Sequence, residues 1–458
     1  MSEITNKKAN DSSRMGNMPM HKLFLSMSIP LIISMLVQTF YNIIDSVFVS
    51  YINEDALTAV SLVSPFMNLL YAVAAGTGIG FNAIIARRLG AKDPKGALRT
   101  ANTGLFLIIC SYVIFLIIGI IGTRAYIAFQ TQSDSILEYG VTYMRIISCL
   151  SFGTFGQVAI ERILQSTGKT IYPMITQMCG ALINILFDYL LIFGIGPFPR
   201  LGVAGAALAT IFGQCFAMGL GLYFNHRFNK EIHLSLAMIF HPDLSIIPEI
   251  YKIGLPSVLM ISIGSIMTFG MNRILMAFSS TAVAVFGVYF KLQSVAFMPT
   301  FGMNTAVIPI VGYNLGAKKP DRIKKCYRIA CLYACAVMWI CLILFQVIPG
   351  KMLLAFNASE NMLSIGIPAL RAASIIFSFA GISVISSGLF QGSGKSIYSF
   401  YVSLIRQLAV LLPAAYLLSL SGNVNYVWFA LPIAEVVGFI TTLIFKHRLN
   451  IYLREVIS

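Results

Sequence analysis

LGAKDP, at residues 89–94, returns as LGAKKP at residues 315–320, an offset of 226 residues. QSTGKTIY at residues 165–172 and QGSGKSIY at residues 391–398 are separated by the same number. Single residues far from these stretches keep this register as well: Pro30 and Pro256, Gly76 and Gly302, and Arg145 and Arg371. One register held over so many points without net insertion indicates an internal duplication, and a period this long indicates two equivalent lobes.

The composition predicts a membrane protein. Of the 458 residues, 57% are hydrophobic and only 11% are charged, and the mean hydropathy is +0.82. This is more apolar surface than a soluble core of this size can hide. Apolar runs longer than about 18 residues recur along the chain, and each can cross a bilayer as a helix. The sequence lacks the polar and apolar alternation of a β-barrel, so we predict an all-α polytopic membrane protein.

We predict twelve transmembrane helices in two six-helix bundles. An even number of spans per lobe gives both lobes the same orientation, so the repeat is parallel and its pseudo-two-fold axis runs along the membrane normal. The predicted spans are 23–50, 56–86, 98–122, 139–164, 171–195 and 203–224 in the first lobe, and 250–278, 282–312, 326–348, 362–390, 397–420 and 424–445 in the second.

The net charge of +15 comes from 32 Lys and Arg against 17 Asp and Glu. The basic residues are concentrated in the loops and tails on one side of the predicted spans, whereas the loops on the other side carry Arg124, Arg200 and Lys351. Because basic loops remain in the cytoplasm, we expect a multi-pass protein of the inner (plasma) membrane with both termini cytoplasmic. This topology accounts for the charge, and we expect no nucleic-acid partner.

These spans divide the chain into two lobes and three cytoplasmic segments. The parts are a tail (1–22), an N-terminal lobe (23–224), an interlobe linker (225–249), a C-terminal lobe (250–446) and a second tail (447–458). The linker begins with the polar run Asn225–Asn229, and we expect an amphipathic helix on the membrane surface within it.

Local sequence in the paired turns indicates structure, and no chemistry. We expect Gly90 to end a helix in the left-handed conformation and Pro94 to begin the next helix. A phosphate-binding loop at Lys169 or Lys395 is not supported, because the full glycine spacing is missing. The eight cysteines include no CxxC pair and do not predict a metal site.

Intramembrane acids are the first candidates for function, because an ionised side chain within the bilayer is costly. Asp45 in the first span shares a helix face with Tyr41 and Asn42, and Asp188 in the fifth span shares one with Asn184. Neither acid has an acidic counterpart at the 226-residue offset. The two faces could share a proton or surround a small cation; alternatively, each Asp bridges neighbouring helices through hydrogen bonds.

Other intramembrane charges are candidate substrate contacts or charge partners. Glu161 lies near a membrane boundary beside Arg162, where an interfacial ion pair is the simpler interpretation. The second lobe carries Arg273 and Lys291 within its spans, and Glu435 is a candidate partner for Lys291.

The first span from Pro30 to Asp45, the paired LGAK turns, the QSTGK and QGSGK turns and the Asn184-x-x-x-Asp188 pattern resemble the multidrug and toxic compound extrusion (MATE) family. The resemblance covers essentially the whole chain, which looks like the MepA-like exporters, and the Asp45 with Asn184/Asp188 pattern is similar to that of the DinF-type branch. It implies two six-helix bundles, alternating access, and export of cationic, lipophilic drugs in exchange for H⁺ or Na⁺. It also implies that Asp45, Asn184 and Asp188 form the coupling-ion site, with Na⁺ as the one possible metal. NorM-type relatives place acids in the seventh and tenth spans, where this sequence has none.

We therefore expect an H⁺- or Na⁺-coupled antiporter that exports lipophilic, mostly cationic drugs or toxins, works as a monomer in the lipid bilayer and needs no cofactor. The content of 21 Met, 33 Phe and 20 Tyr favours an adaptable cleft between the lobes that could hold flat organic cations. One alternative is a flippase for a lipid or polyprenol-linked substrate, whose anionic headgroup would bind the basic second lobe. A polytopic membrane enzyme is a further alternative, but the sequence shows no nucleophile motif or close acid dyad.

Overall fold

The protein is described here from a computed structural model covering residues 13–356, 358–375 and 377–457, with side chains described up to Glu455. These residues form helices and no strands, as predicted. Between α17 and α18 the helix takes π geometry over Ile405–Leu411. The helices are α1 Ser13–Asn17, α2 Met20–Ser50, α3 Glu54–Gly90, α4 Pro94–Ile121, α5 Thr123–Ala128, α6 Asp134–Cys149, α7 Phe152–Ser166, α8 Ile171–Phe193, α9 Val203–Phe228, α10 Leu236–Ile239, α11 Ile247–Met276, α12 Ser280–Gly316, α13 Pro320–Val347, α14 Pro349–Leu354, α15 Glu360–Ser374, α16 Phe377–Gly392, α17 Ser396–Leu404, α18 Leu412–Ser419, α19 Val424–Val427 and α20 Ala430–Ile457.

Among the described residues, ten helices are long and apolar enough to cross a membrane, and α15 with α16, which meet at a bend of 54°, pass the same test only when taken together. The predicted fourth span, residues 139–164, is divided into α6 and α7. At this break the hydroxyl of Ser151 donates to the carbonyl of Ser148 at 2.8 Å, and that of Ser148 donates to Met144 at 2.6 Å. Side-chain hydrogen bonds of this kind compete with the helical ladder and favour a bend.

The 226-residue register appears in the helix bounds themselves. The first and last residues of α3, α4 and α5 lie 226 residues before the first and last residues of α12, α13 and α14, respectively. The break between α6 and α7 recurs, to within a residue, as the break between α15 and α16. The two halves therefore share their local geometry as well as their sequence pattern.

The paired turns correct one expectation about Gly90. The left-handed residue is Lys92, with φ of 60°, and its equivalent Lys318 has φ of 54°. Gly90 is still helical, and the turn closes after it because the amide of Asp93 donates to the carbonyl of Arg88 at 2.9 Å. Pro94 begins α4 as predicted.

Gly90 is instead a point of close backbone approach. A Cβ atom added there would overlap the carbonyl oxygen of Tyr313, and one added at the equivalent Gly316 would overlap the carbonyl oxygen of Arg87. The ends of α3 and α12 therefore cross with no side chain between them. We call this end of the molecule, where the two LGAK turns lie, the basic end.

The first helix of each half packs against the second helix of the other half. Gly76 of α3 lies against Val258 of α11, whose backbone nitrogen would be 2.7 Å from an added Cβ. Gly302 of α12 lies against Ile32 of α2 in the equivalent way, with the Cα of Ile32 at 2.8 Å. These pairs are related by the same 226-residue offset, so the two halves are joined by two equivalent helix contacts.

Polar contacts reinforce this junction at the basic end. Glu249, at the start of α11, accepts from Arg87 at 3.2 Å and from Arg88 at 3.4 Å. Arg322 of α13 holds the short helix α1 in place, since its guanidinium donates to the carbonyls of Met15 and Met18 at 3.0 and 2.8 Å. The basic end is therefore the closed end of the molecule.

The linker between the halves is mostly irregular and contains the four-residue helix α10. Leu236, Phe240 and Leu244 are all exposed on it. Asp243 lies 3.8 Å from Arg99 of α4. The hydroxyl of Ser245, which donates to Asp243 at 2.6 Å, together with Arg99, holds the pKa of this carboxyl below its usual value.

We predict that Gly90→Ala and Gly316→Ala each destabilise this closed arrangement by about 1–3 kcal/mol, because the added methyl meets backbone and cannot be accommodated by rotamer changes. Gly219→Ala and Gly287→Ala are matched controls, since nothing lies within 4 Å of an added Cβ at either position. Thermal unfolding in detergent measures the cost, and labelling of a cysteine at Lys318 measures opening of the basic end. Equal stability of G90A and G219A would contradict the close approach.

Candidate functional site

A cavity of about 730 Å³ lies between the two halves and is lined by both. Methionine and aromatic side chains form part of its wall, and many Ser, Thr, Asn and Gln side chains lie between them, so the cavity combines apolar surface with polar groups. The wall includes Met35, Met67, Met260, Met267, Met298, Tyr71, Phe286, Phe290, Phe297 and Phe377.

The predicted acids of α2 and α8 lie together beside this cavity. The carboxyl groups of Asp45 and Asp188 are within hydrogen-bonding reach of each other. Asp188 is fully buried, and both of its oxygens lack a hydrogen-bond partner among the described residues, as do Oδ1 of Asp45 and Oδ1 of Asn184. Buried oxygens without donors are costly, and two ionised carboxylates in contact repel one another. This arrangement suits a shared proton or a small cation.

Two further residues of this cluster were not predicted. Tyr143 of α6 is fully buried next to both acids, and close to it lies Thr210 of α9, whose hydroxyl donates to the carbonyl of Ala206 at 3.1 Å. Thr210 also receives a long hydrogen bond, 3.5 Å, from the side-chain amide of Asn184. No local pattern marks either residue, because Thr210 and Tyr143 become neighbours of the acids only through the packing of α6, α8 and α9.

A second, small pocket of about 20 Å³ is lined by Asn184 and Thr210, and it shares Gln157 and Gln177 with the lining of the main cavity. This volume is enough for one water molecule. Tyr41 lines both pockets.

Asn42 takes a different position from the residues with which it was grouped. It is exposed and lines the main cavity, and the small pocket does not include it. The structure therefore brings Tyr41, Asp45, Asn184 and Asp188 together and turns Asn42 towards the cavity.

Glu161 lines the cavity but is not ion-paired with Arg162 in the described part of the chain, contrary to the simpler interpretation of this pair. Its carboxylate accepts from Gln157 at 3.0 Å and from Thr176 at 3.2 Å. Arg162 instead donates to Gln165 at 3.1 Å. The two side chains follow one another in the helix and point to different partners, because successive residues are about 100° apart around the axis.

The prediction that Glu435 is a partner for Lys291 is wrong. Its carboxylate pairs with the guanidinium of Arg406, and both line the second-half wall of the cavity. Lys291 and Arg273 are exposed, and the cavity lining includes neither. The sequence could not distinguish these bases, since only the packing of α20 on the π segment brings Arg406 to Glu435.

Long apolar helices in two equivalent halves, joined at one end around a cavity with buried acids at its side, define a polytopic membrane transporter. The sequence profile of the MatE family matches residues 30–190 and 256–417, which together exceed half of the chain, and the chain belongs to this family. The profile matches once in each half, and the two matches start 226 residues apart.

Relatives resemble the chain over nearly its full length. A multidrug export protein MepA of Staphylococcus haemolyticus is 26% identical over 440 residues, which are 94% of this chain and 95% of the relative. An FAD transporter of Shewanella oneidensis is 26% identical and covers 91% of this chain and 92% of its own. A solved MOP superfamily transporter from Pyrococcus furiosus is 25% identical, with a TM-score of 0.91 over 98% of this chain and 100% of its own.

We predict that Thr210→Val lowers the free energy of unfolding by about 1–2 kcal/mol, because it leaves the buried side-chain amide of Asn184 without the hydroxyl that accepts from it. Thr442→Val is the matched control, since Thr442 is also buried in the second half and its hydroxyl bonds only the carbonyl of Gly438. Thermal unfolding of both variants measures the difference. Equal losses in T210V and T442V would argue against a cooperative cluster around Asn184.

Proposed function

We propose that this protein is an ion-coupled exporter of lipophilic, mostly cationic drugs or toxins, with H⁺ or Na⁺ as the coupling ion. The observation that carries the proposal is the contact between Asp45 and Asp188, whose buried oxygens have no donor among the described residues. Buried acids inside a membrane protein mark ion and proton pathways. Tyr41, Asn184 and Thr210 complete the site, and Asn42 faces the substrate.

The coupling ion acts through α2. When the site binds an ion, the repulsion between the two carboxylates is removed and α2 packs more closely on α8. Because α2 also packs on α12 through Ile32 and Gly302, a change in its position alters the junction of the two halves. The ion favours one arrangement only by the difference in its affinity for the two arrangements.

The cavity supports drug-sized substrates. Its methionines adapt to ligands of different shape, and its aromatic rings attract cations through their π faces. Glu161 supplies a negative group on the first-half wall. The name of the MepA relative, a multidrug export protein, agrees with this class of substrate.

We place the basic end in the cytoplasm, with both termini, in an inner (plasma) membrane protein that works as a monomer. The clusters of Lys and Arg at this end support this orientation. Because the halves are joined at the basic end, the cavity then opens towards the outside, which is the arrangement from which an exporter releases its substrate.

The flippase alternative assigns an anionic headgroup to the basic second lobe. Lys291 and Arg273 lie outside the cavity lining, and Arg406, a second-half base that does line the cavity, is already paired with Glu435. Among the two transport hypotheses, the geometry supports drug export.

Asp45→Asn tests the proposal. In reconstituted vesicles we expect gradient-driven efflux of ethidium, a fluorescent cation, to be lost, because the variant cannot ionise or exchange the coupling ion. A pH gradient and a Na⁺ gradient, imposed separately, identify the ion. Asp321→Asn is the control, since this side chain is 96% exposed and should leave transport unchanged. Wild-type rates in Asp45→Asn under both gradients would contradict the proposed ion site.

A further inference from the structure

We propose that Arg406 and Glu435 form a substrate subsite on the second-half wall that recognises molecules carrying a positive and a negative group together. This subsite adds zwitterionic molecules to the cationic substrates proposed above, and the inference rests on the proposed transport function for its biological meaning. The four charged side chains among the described lining residues are Glu161, Arg162, Arg406 and Glu435, two of each sign. The wall is therefore electrically balanced.

The Arg406–Glu435 pair is only partly satisfied. Their side chains are 21% and 18% exposed, and one guanidinium nitrogen contacts one carboxylate oxygen. Nε of Arg406 and Oε2 of Glu435 are buried and have no hydrogen-bond partner among the described residues. The pair therefore keeps one unsatisfied donor and one unsatisfied acceptor, and both side chains are part of the cavity lining.

The backbone around Arg406 is specialised. Arg406 is the second residue of the π segment Ile405–Leu411, and such segments are frequent at functional sites in α-helical proteins. Gly438 of α20 makes room for the arginine, because a Cβ there would lie 2.8 Å from Cδ of Arg406.

The pair is not part of the repeated scaffold. At the 226-residue offset, Arg406 corresponds to Gly180 and Glu435 to Ala209. In the first half, Gly180 allows α8 to approach α9 closely, with the carbonyl oxygen of Gly213 3.0 Å from an added Cβ. Where the first half has a close helix contact, the second half therefore has an ion pair in the cavity lining.

Charge pairing determines which ligand fits. A monocation that bound Glu435 in place of the guanidinium would leave Arg406 uncompensated in the wall, and a lone anion on Arg406 would leave Glu435 uncompensated. Removing one partner of a partly buried pair is strongly unfavourable. A molecule with both an ammonium-like group and a carboxylate can pair with both side chains at once. The subsite therefore favours zwitterionic substrates over monocations of the same shape.

Two dyes of the same skeleton test this preference. Rhodamine 110 is a zwitterion at neutral pH, and rhodamine 123, its methyl ester, is a monocation. We would measure their dissociation constants by fluorescence polarisation with the full-length protein in phosphatidylcholine nanodiscs, where no ion gradient exists. Wild type should bind rhodamine 110 roughly tenfold more tightly, the effect of one charge-assisted contact.

Variants assign the preference to the pair. Arg406→Met should reverse it in favour of rhodamine 123, because Glu435 is then unmasked. The double variant R406M/E435Q removes both charges and should bind the two dyes within about twofold of each other. Arg273→Met, the same change at an arginine outside the lining, should keep the wild-type ratio.

Equal affinities of the two dyes for wild type, including no measurable binding of either, would overturn the proposal, as would an unchanged ratio in both R406M and the double variant. Because binding is measured without a gradient, failure of ion coupling at Asp45 leaves these outcomes unaffected. The two proposals can therefore fail separately.

Discussion

The structure depends on four glycines that allow the helices of the two halves to touch backbone to backbone. Gly90 and Gly316 let α3 and α12 cross at the basic end. Gly76 lets α11 pack closely on α3, and Gly302 lets α2 pack closely on α12. A side chain at any of these points would meet main-chain atoms of the other half, which cannot move away as a rotamer can. The crossing closes the basic end and leaves the cavity beyond it.

The same junction places an asymmetric site within a symmetric frame. The acids Asp45 and Asp188 occur only in the first half, and the Arg406–Glu435 pair only in the second. They occupy different places in the repeat, since the acids lie on α2 and α8, whereas Arg406 and Glu435 lie at the positions equivalent to Gly180 of α8 and Ala209 of α9. The two halves therefore share one arrangement of helices but differ in the charged residues that they carry.

Much of this fold follows from the sequence, because apolar length and a fixed register are local properties. The 226-residue offset located the paired helices, and Asp45, Asn184 and Asp188 were recognisable as polar residues in apolar spans. The role of Gly90 in the close approach of α3 and α12 could not be recognised from the sequence, because only the fold brings these two helices together. Tyr143, Thr210 and the partner of Glu435 were missed or misassigned for the same reason. Such residues look ordinary in sequence and acquire their role from neighbours on other helices.

The central claim is that ion occupancy of the Asp45–Asp188 site controls how far the two halves are separated at the end opposite the basic end. Spin labels on cysteines introduced at Glu54 and Ser280, the equivalent first residues of α3 and α12, would measure this separation in a background with the eight native cysteines replaced. Pulsed dipolar spectroscopy at low pH, or with added Na⁺, should give a shorter distance than at high pH without Na⁺, and Asp188→Asn should abolish the change. A distance that responds to neither ion in the wild-type background would contradict the account.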